Sequence, residues 1–257
     1  MKQKLILSTL SALILLSSSV QSAENIFRLG YTDATFGGQE GISTQARVNL
    51  CTEDAKRVTR NEISIMIGKG QDVTTLCTEN VTDMSFLFKN FEQFNQDISN
   101  WDVSNVINME NMFFFAKSFN QPLNWDVSKV TNMESMFYFV ESFNQELNWD
   151  VSNVTNMYNM FSKATSFNQP LPWDVSNVIN MEYMFNRATS FSQPLNNWDI
   201  SNVEIMTEMF YGAKSFNQSL NDWDVSNVET MSWMFEEAKS FNQPLNDWNV
   251  SNVKDMS

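Results

Sequence analysis

A nine-residue phrase, WDVSNVINM at Trp101, returns along the chain at a nearly constant interval. The copies start at tryptophans separated by steps of 24, 24, 24, 25, 25 and 25 residues: Trp101, Trp125, Trp149, Trp173, Trp198, Trp223 and Trp248. A fixed period of this length indicates stacked repeat units, because each unit is too small to bury its own apolar face. A repeat array is therefore predicted to dominate the 257-residue chain.

The apolar positions within one unit show two different spacings. Trp101 and Val103 lie two residues apart, which is typical of a strand with one buried face. Steps of three and four then favour a short helix with one buried stripe, at Val106, Met109, Met112, Phe113 and Ala116. The predicted fold is an α/β repeat solenoid. Strands stack ~4.8 Å apart and helices need 8–10 Å, so parallel strands should line the concave face and helices the convex face.

The region before the array has a different sequence pattern. We predict an N-terminal cap over 24–75 and the solenoid over 76–257, with an incomplete last repeat. The stretch ISIMIGKG from Ile63 is typical of a strand and turn. The last copy stops within its predicted helix, so the chain is expected to be part of a longer protein; a frayed end is the alternative.

The N-terminus is predicted to be a secretory signal peptide over 1–23. Two lysines precede an apolar run from Leu5 to Leu16, and small polar residues follow. A retained anchor is the alternative, although the run is short for a bilayer span. No further apolar stretch of ~20 residues follows, so no transmembrane span is expected after cleavage.

The chain contains two cysteines, Cys51 and Cys77. In an exported protein this even count permits one disulfide, which would fasten the cap to the first unit. Two free buried thiols are the alternative. Two cysteines without histidine make a poor metal site, and we predict no metal and no cofactor.

Charge and histidine content exclude several function classes. The formal net charge is -14, so nucleic acid phosphates would be repelled. The chain has no histidine, which excludes Ser/His/Asp and Cys/His catalysis and histidine zinc sites. We predict that the protein is not an enzyme.

The repeat unit FNQPLNWDVSNVTNMxxMF closely resembles the repeats of BspA-like bacterial surface proteins, a branch of the leucine-rich-repeat proteins. The resemblance covers about 76–257, and VTDMSFLF from Val81 is similar to the usual start of such arrays. It implies an exported bacterial protein, secreted or at the cell surface, that functions in adhesion or contact with other cells or matrix.

An aspartate follows the tryptophan in six units, and this acidic column is the first candidate ligand-binding site: Asp102, Asp126, Asp150, Asp174, Asp199 and Asp224. The side chains should face away from the core, toward the concave side. One interpretation is that each accepts hydrogen bonds from the backbone two or three residues later and shapes the turn. The other is an acidic stripe that binds a cation or a basic ligand.

Two further sets of residues have competing interpretations. The repeated Trp and Met residues could bind sugar or soft metals, but their register favours core packing. Exposed aromatics at variable positions could form a contact surface, or could be partly buried between units: Phe114, Phe115, Tyr138 and Phe139, with Phe86, Tyr183, Tyr211 and Trp233 elsewhere. Repeated Ser and Gln residues are predicted to form ladders that satisfy turn backbones: Ser104, Ser128, Ser152, Gln96, Gln121 and Gln145.

Together these features predict a surface-associated binding or adhesion module that recognises a protein or glycan partner. A structural spacer within a larger surface protein is the main alternative. A carbohydrate-active enzyme with paired carboxylates needs no histidine, but the carboxylates here repeat evenly and do not form one special pair.

Overall fold

The structure, a computed structural model, describes residues 48–257. The signal peptide predicted at 1–23, and the part of the predicted cap that precedes residue 48, lie outside the described residues. One helix is present in the described range, α1 (Arg60–Gly68). Over this range no helix combines the length and the apolar character needed to cross a bilayer.

Helix α1 begins at a capping box. Thr59 accepts a hydrogen bond from the Glu62 amide, and the Glu62 carboxylate accepts one from the Thr59 amide at 2.8 Å. The helix buries Ile63 and Ile67, which lie four residues apart on one face. The prediction of a strand and turn from Ile63 is therefore wrong, because the cap and this spacing favour a helix.

The repeat units stack in parallel through single bridged residues. Equivalent positions in successive units pair in one continuous series: Asp83, Asn108, Asn132, Asn156, Asn180, Ile205, Thr230 and Asp255. Each is an isolated bridge, so the pairing does not extend into strands. A repeat protein is confirmed by this regular series.

The predicted α/β solenoid, leucine-rich-repeat-like with strands on a concave face and helices on a convex face, is wrong. Between 76 and 257 each unit is a succession of turns with one bridged residue, and α1 precedes this range. The apolar residues spaced two, three and four apart are buried, as predicted. In this structure, however, the spacing comes from successive turns and not from a strand and a helix.

Left-handed backbone at two positions of each unit explains why no helix forms. Asn111 and Phe115, four residues apart, have φ angles of 54° and 61°. The pair recurs in later units, at Ser135 and Phe139, Asn159 and Lys163, Tyr183 and Arg187, Glu208 and Gly212, and Trp233 and Glu237. A right-handed helix cannot continue through such residues.

Backbone hydrogen bonds alternate between the unit itself and its neighbour. The amides of Asn111 and Phe113 donate to the carbonyls of Glu134 and Met136 in the next unit, at 2.8 and 3.0 Å. The amide of Met112, which lies between them, donates to the carbonyl of Met109 at 3.2 Å. Each unit is therefore a run of three-residue-spaced turns whose remaining amides bind the next unit, and this satisfies the buried backbone.

Three columns of aromatic rings run through the core. One begins Phe113–Phe137–Phe161 with ring centroids 5.6 and 5.5 Å apart, and nearly parallel rings. A second contains Phe119 and Phe143, 6.0 Å apart, and the third contains the motif tryptophans at 6.4–6.5 Å. Core packing of the Trp and Met residues is confirmed, since the copies from Trp101 to Trp223 are at most 5% exposed and the methionines from Met109 to Met209 are fully buried.

The indole N–H groups are also satisfied inside the stack. Trp149 Nε1 donates to the Leu123 carbonyl in the preceding unit at 2.8 Å, and Trp173 does the same to Leu147. The burial of a tryptophan is stabilising only when this polar atom finds a partner. A leucine carbonyl supplies that partner from Trp149 to Trp248, and the Ile98 carbonyl supplies it for Trp125.

Outside the core, asparagine and glutamine side chains link the turn backbones of neighbouring units. Asn120 Oδ1 accepts from the Asn144 amide at 3.0 Å and from Gln145 Nε2 at 2.9 Å. The predicted glutamine ladder is confirmed by this repeated contact, which Gln121 makes to Asn95.

Cys51 and Cys77 form a disulfide with Cα atoms 4.8 Å apart. The predicted disulfide is therefore confirmed, and the alternative of two free thiols is wrong. The Val58 amide donates to the Cys77 carbonyl at 3.1 Å. Arg57 and Glu79 form an ion pair at 2.6 Å. The segment before α1 is thus held against the first unit by three kinds of contact.

Candidate functional site: a tyrosine-lined groove

One open groove collects the tyrosines of the described chain. The sequence has five tyrosines, and the four within 48–257 all line it, beside Trp233: Tyr138, Tyr158, Tyr183 and Tyr211. The groove has a volume of about 760 Å³ and crosses five consecutive units. Amide, hydroxyl and charged groups complete the lining, at Asn159, Ser162, Lys163, Asn186, Arg187, Glu208 and Glu236.

The turn geometry of the repeat positions these side chains. Tyr183, Glu208 and Trp233 occupy the same left-handed position in successive units, with φ angles of 58°, 51° and 53°. Each is followed directly by a fully or largely buried methionine. Because core and surface residues alternate within the turns, the variable positions come together on one side of the stack.

Ring contacts hold the tyrosines in fixed orientations. Tyr158 and Tyr183 meet edge to face, with centroids 5.7 Å apart and planes at 89°. Lys163 Nζ donates to the Tyr138 hydroxyl at 2.7 Å. The Arg187 guanidinium lies 5.2 Å from the centre of the Tyr211 ring, a cation–π arrangement.

Burial and nearby carboxylates raise the pKa of two groove tyrosines, Tyr158 and Tyr183. Burial raises the pKa of Tyr158, and Glu182 and Glu134 act in the same direction. The pKa of Tyr183 is also raised, by burial and then by Glu208 and Glu182. Both phenols are therefore protonated at neutral pH, and the Tyr183 hydroxyl donates to the Glu182 carboxylate.

The groove contains both acidic and basic side chains, and one carboxylate binds a neighbouring amide. Asn186 Nδ2 donates to Glu208 Oε2 at 2.8 Å. Burial raises the pKa of Glu182, with a smaller contribution from Glu208. Lys163 and Arg187 supply two positive charges, against the carboxylates of Glu208 and Glu236.

A second groove continues from the first along the same side. It has a volume of about 630 Å³ and shares Lys163, Arg187 and Tyr211 with the tyrosine-lined groove. Phe139 and Lys214 lie in its wall. The two grooves together form one surface that carries aromatic, basic and acidic side chains.

The four aromatics predicted as contact residues are half-buried and stack between units. Phe114 stacks on Tyr138 with centroids 4.6 Å apart, and Phe115 on Phe139 at 4.7 Å. Lys89 lies 4.6 Å from the Phe114 ring centre. Their geometry matches the alternative interpretation, partial burial between units. Tyr138 and Phe139 also line the grooves, Tyr138 the first and Phe139 the second.

The aspartate column is engaged in the turn that follows each tryptophan. Asp102 Oδ1 accepts from the Ser104 amide at 3.0 Å and from its hydroxyl at 2.7 Å. The amide contact recurs in the five later units at 3.0–3.1 Å, from Asp126 to Asp224. Hydrogen bonds from the Ser176 side chain and then its backbone lower the pKa of Asp174. This geometry matches the turn-forming interpretation, and ligand or cation binding stays a prediction.

Sequence reasoning named Tyr183, Tyr211 and Trp233 as scattered aromatics but did not join them, and it missed Tyr158. It also gave no role to Lys163 and Arg187. The repeat alignment could have identified these two cations. Each directly precedes the buried alanine of its unit, and two earlier units have a phenylalanine at that same position. The tyrosines occupy three different register positions, so no single column reveals them.

Comparison with known proteins gives a family match to the repeat array. Three overlapping stretches, 60–172, 124–211 and 171–257, match the family described as Mycoplasma protein of unknown function, DUF285. Neither the search of curated proteins nor the search of solved structures gave a significant match. Since the matched stretches cover well over half of the sequence, the chain belongs to this DUF285 family of repeat proteins.

Proposed function

We propose that this protein is an exported bacterial surface module that binds a protein or glycan partner through the tyrosine-lined groove, without catalysis. The observation that carries the proposal is the collection of all four described tyrosines and Trp233 in one groove. Tyrosine and tryptophan supply large contact area at low entropic cost and are typical of recognition surfaces.

The stack provides a rigid scaffold for such a surface. Every second amide in the segment that presents the groove binds the next unit, as the Asn159 amide binds the Glu182 carbonyl at 2.8 Å. The rings behind the groove pack in continuous columns, with Phe161 and Phe185 5.8 Å apart. A pre-organised surface loses little conformational entropy on binding.

Sequence features support the location and the lack of catalysis. The predicted signal peptide at 1–23 favours export, and the resemblance to BspA-like proteins favours secretion or cell-surface attachment in adhesion. The absence of histidine removes the commonest general base. The aspartate carboxylates accept serine hydrogen bonds in an even series, and a retaining or inverting glycosidase needs one opposed pair.

The proposal is tested by binding of the purified protein to intact bacterial cells and to host extracellular matrix. The double variant Tyr158→Ala/Tyr183→Ala should lose most of the binding while keeping the melting temperature within a few degrees. Phe91→Ala is the matched control, because Phe91 is 38% exposed and does not line the groove. Equal binding by the double variant and the wild type would show that the partner does not bind through the groove.

A further inference from the structure

We infer that the tyrosine-lined groove binds an extended, uncharged oligosaccharide; this inference rests on the proposed binding function. Four observations carry it: the length of the groove, its combination of aromatic rings with hydroxyl and amide groups, its mixture of acidic and basic side chains, and the hydrogen bonds that its backbone amides already make to the next unit. Each bears on a different property of the ligand.

The length of the groove matches a chain of several sugar rings. Its lining extends from Tyr138 to Glu236, residues that belong to the first and last of five stacked units. Hydrogen-bonded units lie ~4.8 Å apart, so the groove is roughly 20 Å long. The groove is open along this length and accommodates a linear ligand better than a compact one.

The lining provides the two kinds of contact that a sugar ring needs. A pyranose ring has an apolar face of C–H groups and an edge of hydroxyl groups. Tyr158, Tyr183 and Trp233 line the groove with aromatic rings that carry a polar tip. Asn159, Asn186 and Ser162 offer donors and acceptors between them.

The charges in the groove favour an uncharged ligand. Lys163 already donates to the Tyr138 hydroxyl, and the Arg187 guanidinium lies over the Tyr211 ring. Glu208 accepts from Asn186. The lining has two basic and two acidic side chains, and the carboxylates of Glu182 and Glu134 act on Tyr158. An anionic ligand would therefore be repelled, and a cationic ligand would still meet Lys163 and Arg187.

A peptide that binds as an added strand or as an amphipathic helix fits the same surface less well. Extended peptides add to an exposed strand edge, and helical peptides need an apolar groove. The pairing between units consists of isolated bridges. The amides of Asn159 and Tyr183 already donate to the next unit, at 2.8 and 2.9 Å, and charged and amide groups interrupt the aromatic lining.

The experiment uses the whole protein and a panel of neutral hexasaccharides, namely cellohexaose, hexa-N-acetylchitohexaose, mannohexaose and maltohexaose, with a heparin hexasaccharide as the anionic comparison. Titration calorimetry measures affinity, and iodide quenching of tryptophan fluorescence gives a second readout. Trp233 is 49% exposed, whereas the motif tryptophans from Trp101 to Trp223 are at most 5% exposed. A bound sugar should therefore protect Trp233 from quenching.

We expect at least one neutral hexasaccharide to bind, with affinity that does not change between low and high salt. Tyr183→Ala should weaken binding about five- to tenfold, the loss expected for one aromatic contact, and Tyr183→Phe should weaken it less. Phe91→Ala should bind like the wild type.

Two results would overturn the inference while leaving the proposed function intact. One is a lack of binding by every neutral sugar at millimolar concentration, while cell or matrix binding still depends on Tyr158 and Tyr183. The other is salt-dependent binding of a heparin hexasaccharide alone, which would indicate an anionic ligand. If neither sugar binding nor surface binding responds to the groove variants, both proposals fail.

Discussion

At the scale of single residues, the left-handed positions show how tertiary contacts override local preference. Thirteen non-glycine residues in the described range have positive φ angles, among them Lys163, Arg187 and Trp233. Each carries a steric cost of roughly 1–2 kcal/mol relative to right-handed backbone. Hydrogen bonds to the next unit and burial of the neighbouring methionine and phenylalanine offset this cost.

Gly212 provides a direct test at one such position. Its φ is +64°, and an added Cβ would lie 3.2 Å from Arg187 Cγ. Gly212→Ala should therefore lower the free energy of unfolding by about 1 kcal/mol, as measured by urea denaturation. Gly68→Ala is the control, because its Cβ would meet no atom within 4 Å. A neutral or stabilising effect of Gly212→Ala would contradict the strain assigned to this position.

The aspartate column predicts a pH-dependent contribution at Asp174. Its pKa is lowered in the folded protein by the Ser176 hydroxyl and amide, so the stabilisation is complete above the unfolded aspartate pKa of about 3.9 and disappears as pH falls through the folded value. Asp174→Ala should cost about 0.5 kcal/mol at neutral pH and nearly nothing in strong acid, as measured by thermal unfolding across pH. A constant difference across that range would exclude the charged acceptor as the cause.

At the scale of elements, the disulfide is predicted to matter mainly to the segment before the array. The bridge closes a loop with a sequence separation of 26 residues, for which chain-entropy arguments give about 3 kcal/mol. Cys51→Ser/Cys77→Ser should lower the free energy of local unfolding of this segment by about that amount. Hydrogen exchange should become faster at Val58, whose amide binds the Cys77 carbonyl.

The interior of the array provides the control for that experiment. Amides such as those of Phe161 and Phe185, which bind the next unit at 2.9 Å, should retain their protection in the double serine variant. Equal loss of protection throughout 48–257 would show that the disulfide supports the whole stack and not one end of it.

The repeat element could be predicted only in part. The spacing of Val106, Met109 and Met112 correctly gave the buried residues, but the same spacing is produced by a helix and by successive turns with amides three residues apart. Asn111 and Phe115 decide between them through their left-handed backbone. Neither residue type requires that conformation, so no local signal distinguished the two structures.

At the scale of the whole molecule, a stack of equivalent units should tolerate loss of one unit in register. Deletion of 102–125 removes 24 residues and joins Trp101 to Asp126, which restores the repeated Trp-Asp junction. The shortened protein should fold cooperatively with a lower free energy of unfolding and should keep the groove residues from Tyr138 onward. Circular dichroism and denaturant unfolding measure both properties.

Deletion of half a unit is the matched comparison. Removal of 102–113 would place Phe114 directly after Trp101, shift core residues to the surface and leave the interunit amides without carbonyl partners. This variant should lose the cooperative transition. Similar stability of the two deletion variants would contradict the account of the array as equivalent, register-dependent units.

The sequence by itself determined the period and the buried positions, because a repeat must bury the same apolar residues in every copy. It permitted a bridge between Cys51 and Cys77 but left free thiols open, and the structure decided for the bridge. Only the tertiary structure decided the local backbone and the groove. The backbone depends on hydrogen bonds between units, as between Asn111 and Glu134, which lie 23 residues apart. The groove depends on stacking that brings Tyr158 and Tyr183 within 5.7 Å although they stand in different register positions.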